Sequence, residues 1–173
     1  MTIYAESSAI LAWIFGETAG ESVRTALGEA DLVVTSDLSL IECERALIRA
    51  TTLGEISEAE ATDRRAVLRS AARHWVTLAL DDEIQARAKR PFPGEPIRTL
   101  DAIHIATLLA GLTAVPGLRM LSLDTRVRAS AGALGVGSAA SLGGAPSRLR
   151  DVDIIPPSVA HRITPAKIGR PFR

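Results

Sequence analysis

Short apolar runs alternate with helix-favouring segments along most of this 173-residue chain. The runs lie at 2–5, 32–34, 74–80 and 119–123. Their length and apolar character are typical of strands covered on both faces. Strands that alternate with helices in this way predict a parallel sheet with helices on both sides. We therefore expect an α/β fold, specifically a three-layer α/β/α sandwich with a mainly parallel sheet.

The helical segments carry recognisable start signals. Ser57 followed by Glu60 is the pattern of a capping box, and Thr99 is the expected N-cap of the apolar helix containing LDAIHIA. Helices are predicted at 9–16, 19–30, 37–52, 57–73, 81–90, 99–111 and 124–135.

Chain length and local amino-acid composition predict one domain followed by an extension. Residues 1–137 suit a single core, whereas 138–173 are rich in Gly, Ser and Pro, with only 152–155 resembling a strand. We expect the extension to be ordered in part at most. The chain's 20 basic and 20 acidic residues balance, yet the domain holds 14 basic against 18 acidic and the extension six against two. The domain thus contains a surplus of carboxylates.

Cysteine content and hydropathy indicate the cellular compartment in which the protein is expected. Cys43 is the only cysteine, which excludes an intrachain disulfide framework and a cysteine-based zinc site, and we expect it to be a buried small hydrophobe. The first residues lack the basic and apolar regions of a secretion signal, and no stretch approaches the roughly 18 apolar residues of a membrane span. We expect a cytoplasmic protein without a membrane association.

Four acidic residues are predicted to converge at one end of the sheet. Glu6 and Asp124 directly follow predicted strands, Glu42 lies about one turn into the helix after the second strand, and Asp101 lies in the first turn of the apolar helix. Ligands of open parallel sheets bind beyond the carboxyl ends of the strands, where these residues lie.

A cluster of carboxylates requires a positive partner, because neighbouring negative charges raise one another's pKa. Mg²⁺ and Mn²⁺ are hard cations that prefer oxygen ligands. Such ions activate water and stabilise the leaving oxygen during in-line displacement at phosphorus. The cluster therefore favours metal-dependent phosphodiester hydrolysis.

Each acid also has a purely structural interpretation. Asp101 and Asp124 can cap helix N–H groups, and Glu42 can pair with the arginines that follow it on the same helix. Glu6 can simply begin the first helix. One sequence does not decide between these alternatives.

Four stretches match a family pattern in order, spacing and setting from Met1 to about Val136: IYAESSAILAW, VVTSDLSLIECERAL, RTLDAIHIATLL and LSLDTRVRASAGALGV. They resemble the PIN domain and, within that superfamily, the VapC-type toxins of bacterial toxin–antitoxin systems. The resemblance implies a Mg²⁺- or Mn²⁺-dependent endoribonuclease that acts on RNA, forms a homodimer and is inhibited by a small antitoxin protein.

The same resemblance assigns roles to individual residues. It implies that the four acids hold the metal and carry catalysis, and that Ser7, beside the first acid, helps to hold a water or a phosphate oxygen. A helix N-cap is the alternative role of Ser7. Glu6 departs from the family, which usually has Asp at this position. Either the backbone compensates, with Mn²⁺ preferred, or metal affinity falls and the chain is a catalytically weak binding or assembly module.

Three further residues were considered for the site. Arg45 and Arg49 share a helix face with Glu42 and are predicted to bind RNA phosphates, with pairing inside the helix as the alternative. His104 can be a metal ligand, but a hydrogen-bonded helix histidine is favoured because most of its neighbours are apolar.

A phosphatase or deoxyribonuclease that uses the same acidic cluster is a third functional alternative, beside the ribonuclease and the binding module.

Overall fold

The computed structural model of the protein describes residues 1–139 and contains one four-stranded sheet. Its strands are β1 (Thr2–Ala5), β2 (Leu32–Ser36), β3 (Val76–Leu78) and β4 (Arg119–Leu121). Their order is β3-β2-β1-β4, and every pairing is parallel. The predicted mainly parallel sheet is therefore confirmed. The strand-like stretch 152–155 lies outside the described residues.

Seven helices connect and flank these strands in residues 1–139. They are α1 (Ser7–Phe15), α2 (Gly20–Glu29), α3 (Asp37–Thr52), α4 (Glu58–Ala72), α5 (Asp82–Ala88), α6 (Thr99–Ala114) and α7 (Thr125–Ala133). The capping box of Ser57 and Glu60 is present at the start of α4. The predicted cap at Thr99 is wrong. Arg98 has the extended backbone of an N-cap, and Thr99 is already the first helical residue of α6.

Alternate residues of the strands face two separate cores, which makes the fold a three-layer sandwich. Ile3, Val33 and Leu121 pack against apolar side chains of α1, α2, α3 and α4. Tyr4, Val34 and Met120 face the other side, where α5, α6 and α7 cover them. Because both faces are buried, the strands carry continuous apolar runs rather than an alternating pattern. This arrangement confirms the α/β/α class.

The chain passes β4 once more before the described residues end. The backbone N–H of Met120 donates to the carbonyl of Gly137 at 2.9 Å, and the N–H of Ala139 donates to the carbonyl of Met120 at 2.7 Å. Met120 and Ser138 thereby form a parallel bridge at the edge of the sheet. The predicted division into 1–137 and 138–173 stays a prediction. Among residues 1–139, no helix combines the length and apolar character needed to cross a membrane.

Candidate metal centre

A cleft of about 340 Å³ opens at the carboxyl end of the sheet and is lined by Glu6, Glu42, Asp101 and Asp124. The topology explains why they meet. Glu6 follows β1 and Asp124 follows β4, and these two strands are neighbours. Glu42 lies on α3, which begins where β2 ends, and Asp101 lies in the first turn of α6. The four acids predicted from the sequence therefore share one cleft.

Glu6 is buried, with 4% of its surface exposed, and its carboxylate is surrounded by hydroxyl groups. Oε1 accepts a hydrogen bond from Ser7 Oγ at 2.6 Å. Oε2 accepts from Ser122 Oγ at 2.7 Å, from the backbone N–H of Ser8 at 3.1 Å and from the Ser8 hydroxyl. A buried carboxylate needs such donors to replace lost water. Glu6, not Ser7, is also the N-cap of α1, so the alternative role of Ser7 is wrong.

The Ser8 hydroxyl joins the ends of two neighbouring strands. It donates to Glu6 and accepts the backbone N–H groups of Leu123 at 2.9 Å and Asp124 at 3.2 Å. Ser122 Oγ accepts the N–H of Asp124 as well, at 3.1 Å. Two serine hydroxyls thus connect Glu6 with Asp124.

His104 bridges the two glutamates. Its Nε2 lies 2.7 Å from Glu42 Oε2 and 3.5 Å from Glu6 Oε1, and the residue is 2% exposed. Because a carboxylate oxygen only accepts, Nε2 must carry the proton in this arrangement. Nδ1 is buried without a hydrogen-bond partner among residues 1–139. A proton on Nδ1 would be an unsatisfied buried donor, which costs about 1–3 kcal/mol, so the Nε2–H tautomer is favoured.

The environment of Glu42 favours its charged form. Burial raises the pKa of this carboxyl, but hydrogen bonding, chiefly from His104, lowers the pKa below its ordinary value. Glu6, Glu42 and His104 each bring one potential ligand atom to within 4.8 Å of the others. We call these three residues the inner group.

Asp101 and Asp124, which line the cleft, form a second set together with Arg126, which contacts both; we call this set the outer group. Arg126 Nε lies 3.5 Å from Asp101 Oδ2, and Arg126 Nη2 lies 3.3 Å from Asp124 Oδ2. The arginine side chain is 52% exposed, compared with 13% for Asp101 and 29% for Asp124. One guanidinium therefore bridges the acids of α6 and α7.

Asp124 combines a structural role with its place in the cleft. Its Oδ1 caps α7 by accepting the backbone N–H groups of Arg126 at 2.8 Å and Val127 at 3.3 Å. Burial raises the pKa of Asp124, but these bonds and the Arg126 charge lower it further than burial raises it. Asp101, by contrast, caps no N–H group of α6.

Arg45 and Arg49 are exposed on α3 and do not line the cleft. Neither forms an ion pair within the part of the chain that the structure describes, and the hydrogen-bond partner of Glu42 is His104 rather than an arginine of its own helix. Their predicted contact with RNA stays a prediction.

The site roles of Ser8, Ser122 and Arg126 were not predicted from the sequence, and neither were the contacts of His104 with Glu6 and Glu42. Ser122 lies two residues before Asp124, and this closeness in sequence is the only feature that could have indicated its role in the site. His104 is a hydrogen-bonded helix histidine, as favoured, but its partners are two acids of the site. Arg126 gave no signal, because its role depends on the distance between α6 and α7.

The donor set fits a divalent cation. Carboxylate oxygens predominate in the cleft, and the lowered pKa values of Glu42 and Asp124 keep both groups negative at neutral pH. Hard cations such as Mg²⁺ and Mn²⁺ prefer these ligands. His104 fits less directly, since a metal at Nε2 would displace the proton that binds Glu42.

The family model of the PIN domain matches residues 3–129, a span that begins in β1, ends in α7 and contains all four acids. No curated protein matches the chain in sequence.

Proposed function

Since the chain belongs to the PIN domain family, whose members are generally nucleases, we propose that it is a metal-dependent endoribonuclease that hydrolyses RNA phosphodiesters. The observation that carries this proposal is the meeting of Glu6, Glu42, Asp101 and Asp124 in one cleft inside the matched region. RNA is the substrate class that the quoted VapC-like stretches imply.

The residues in and around the cleft have different roles in this reaction. Glu42, Asp101 and Asp124, with Glu6 behind them, hold Mg²⁺ or Mn²⁺, which when bound supplies an activated water and stabilises the leaving oxygen. His104 orients Glu42 through its Nε2–H, and Ser7 orients Glu6. Arg45 and Arg49, exposed on α3, contact phosphates of RNA outside the cleft.

The same resemblance supports a biological role as the toxin of a toxin–antitoxin pair. In this role the protein is a cytoplasmic homodimer, and a small antitoxin protein inhibits it. Co-purification with the product of a short neighbouring gene, and inhibition of cleavage by that product, test the role separately from the chemistry.

Cleavage of structured RNAs in Mg²⁺ or Mn²⁺ tests the enzyme. We expect Asp101→Asn to lower the cleavage rate by at least about 100-fold, which corresponds to about 2.7 kcal/mol of transition-state stabilisation. Asp63→Asn is the matched control, because Asp63 is exposed on α4 away from the cleft. Equal cleavage by Asp101→Asn and the unchanged protein would contradict the proposal. Single-stranded DNA and a phosphate monoester, assayed in parallel, test the deoxyribonuclease and phosphatase alternatives.

A catalytically weak binding module is the second candidate, and one observation favours it. The Glu6 carboxylate already accepts hydrogen bonds from Ser7, Ser8 and Ser122, so a metal ion must compete with these donors. Calorimetric titration with Mn²⁺ separates the two candidates. Heat that disappears in Asp101→Asn supports the enzyme, whereas no heat at millimolar Mn²⁺ supports the module.

A further inference from the structure

Arg126 contacts one carboxylate oxygen of each aspartate in the outer group. In Asp124, Oδ1 is used by the cap of α7, which leaves Oδ2, and this is the oxygen that the guanidinium contacts at 3.3 Å. In Asp101, Arg126 again lies nearest to Oδ2, at 3.5 Å. A metal ion held by Asp124 would need Oδ2, the oxygen that Arg126 contacts, whereas an ion on either oxygen of Asp101 would lie beside the positive charge of the guanidinium.

The contacts of Arg126 are suited to exchange. Strong charge-assisted hydrogen bonds have N···O distances of about 2.7–2.9 Å. The distances of 3.3 and 3.5 Å between Arg126 and the two aspartates are longer, so these contacts are weak. The side chain is 52% exposed, and among residues 1–139 it has no other side-chain partner. Water can therefore replace both contacts at little cost.

We propose that Arg126 is the resident counter-ion of Asp101 and Asp124, and that it exchanges these carboxylates for an RNA phosphate when a divalent cation binds them. The first half concerns the metal site alone, and the second half rests on the proposed ribonuclease function. Without a metal, the guanidinium lowers the repulsion between two carboxylates. With a metal, it is released at the mouth of the cleft, where it is a planar donor suited to phosphate oxygens.

The exchange distinguishes Arg126 from an ordinary surface ion pair. An ordinary pair would persist beside the metal and repel it, but it would not reach an RNA phosphate, so its removal would leave the KM for RNA unchanged. A counter-ion that must leave also opposes metal binding, but once released it contacts the phosphate. Its removal therefore tightens metal binding while it weakens RNA binding, and these two effects have opposite signs.

Calorimetric titration with Mn²⁺ tests the first half, on the full chain and on Arg126→Met, Arg126→Lys and Arg128→Met. We expect Arg126→Met to bind Mn²⁺ about three- to tenfold more tightly than the unchanged chain, and Arg126→Lys to lie between them. Arg128 is the matched control, because it lies on the same helix and contacts the backbone carbonyl of Ser122 rather than an acid. Its loss should change the affinity less than about twofold. Equal affinities of Arg126→Met and Arg128→Met would overturn the exchange.

Steady-state cleavage of RNA tests the second half. We expect Arg126→Met to raise KM about three- to tenfold, with kcat changed less than KM, because a phosphate contact in the bound substrate is lost. Unchanged KM together with tightened Mn²⁺ binding would overturn the phosphate step and leave the counter-ion. No cleavage by any variant, with tightened Mn²⁺ binding in Arg126→Met, would overturn the ribonuclease function but support the counter-ion. No Mn²⁺ binding by any variant would overturn both.

Discussion

The inner and outer groups of the cleft each join two acids through one nitrogen-bearing side chain, but they differ in burial. In the inner group, His104 is 2% exposed and lies 2.7 Å from Glu42. In the outer group, Arg126 is 52% exposed and lies 3.3 and 3.5 Å from its partners. The two groups therefore differ mainly in the exposure of the bridging side chain, since Glu42 is 25% exposed, compared with 13% for Asp101 and 29% for Asp124.

This difference in exposure gives the two bridging side chains different consequences for the stability of the fold and for the exchange of partners. The hydrogen bond of a buried side chain such as His104 is costly to lose, because water does not reach this side chain, whereas an exposed ion pair contributes about 0–1 kcal/mol. We infer that the inner group contributes to the stability of the fold, whereas the outer group is poised to change partners. Three substitutions, from the largest expected effect to the smallest, test this division.

His104→Ala should have the largest effect on stability. The change removes the hydrogen-bond donor to Glu42 and the contact with Glu6, and it leaves a cavity where a buried side chain lay. We expect the free energy of unfolding to fall by about 2–3 kcal/mol in the absence of metal. Urea denaturation in EDTA measures it, with exposed His74→Ala as the control. A loss no larger than that of Arg126→Ala would break the division between the groups.

Glu6→Asp should have an intermediate effect. This variant restores the acid usual in the family but withdraws the carboxylate from Ser122 and Ser8, which hold Oε2. We expect a loss of about 1 kcal/mol in unfolding free energy, typical of a lost hydrogen bond. Because the hydroxyls already seat the longer side chain, we expect no gain in the rate of RNA cleavage. A clearly faster variant would show instead that Glu6 weakens the site.

Asp124→Asn should have the smallest effect, and one that depends on pH. The pKa of Asp124 is lowered in the folded state, so its charge adds stability above the unfolded pKa of about 3.9. This contribution is lost as the pH falls through the folded pKa. We expect Asn, which retains the cap, to cost about 0.5 kcal/mol at pH 7 and progressively less below pH 4. Thermal unfolding in EDTA between pH 7 and pH 3 measures the trend, and a constant difference would contradict it.

The sequence predicted the sheet and the meeting of the acids, because both depend on local signals. Apolar runs identify strands, and the carboxyl ends of parallel strands share one edge. It did not predict the bridging roles of Ser8, His104 and Arg126, since each joins residues far apart in the chain. Ser8, for example, reaches backbone groups 115 and 116 positions away. The distances between α6 and α7 and between β1 and β4 result from tertiary packing. They leave no periodic pattern in the sequence from which they could be predicted.

The seam between β1 and β4 has a consequence for synthesis on the ribosome. The Ser122 hydroxyl and the Asp124 carboxylate, which complete the surroundings of Glu6, emerge more than a hundred residues after it. Because chains are made from the N-terminus at about 5–20 residues per second, the unfinished chain lacks a complete acidic site for several seconds. The acidic cleft is therefore complete only after β4 has joined β1.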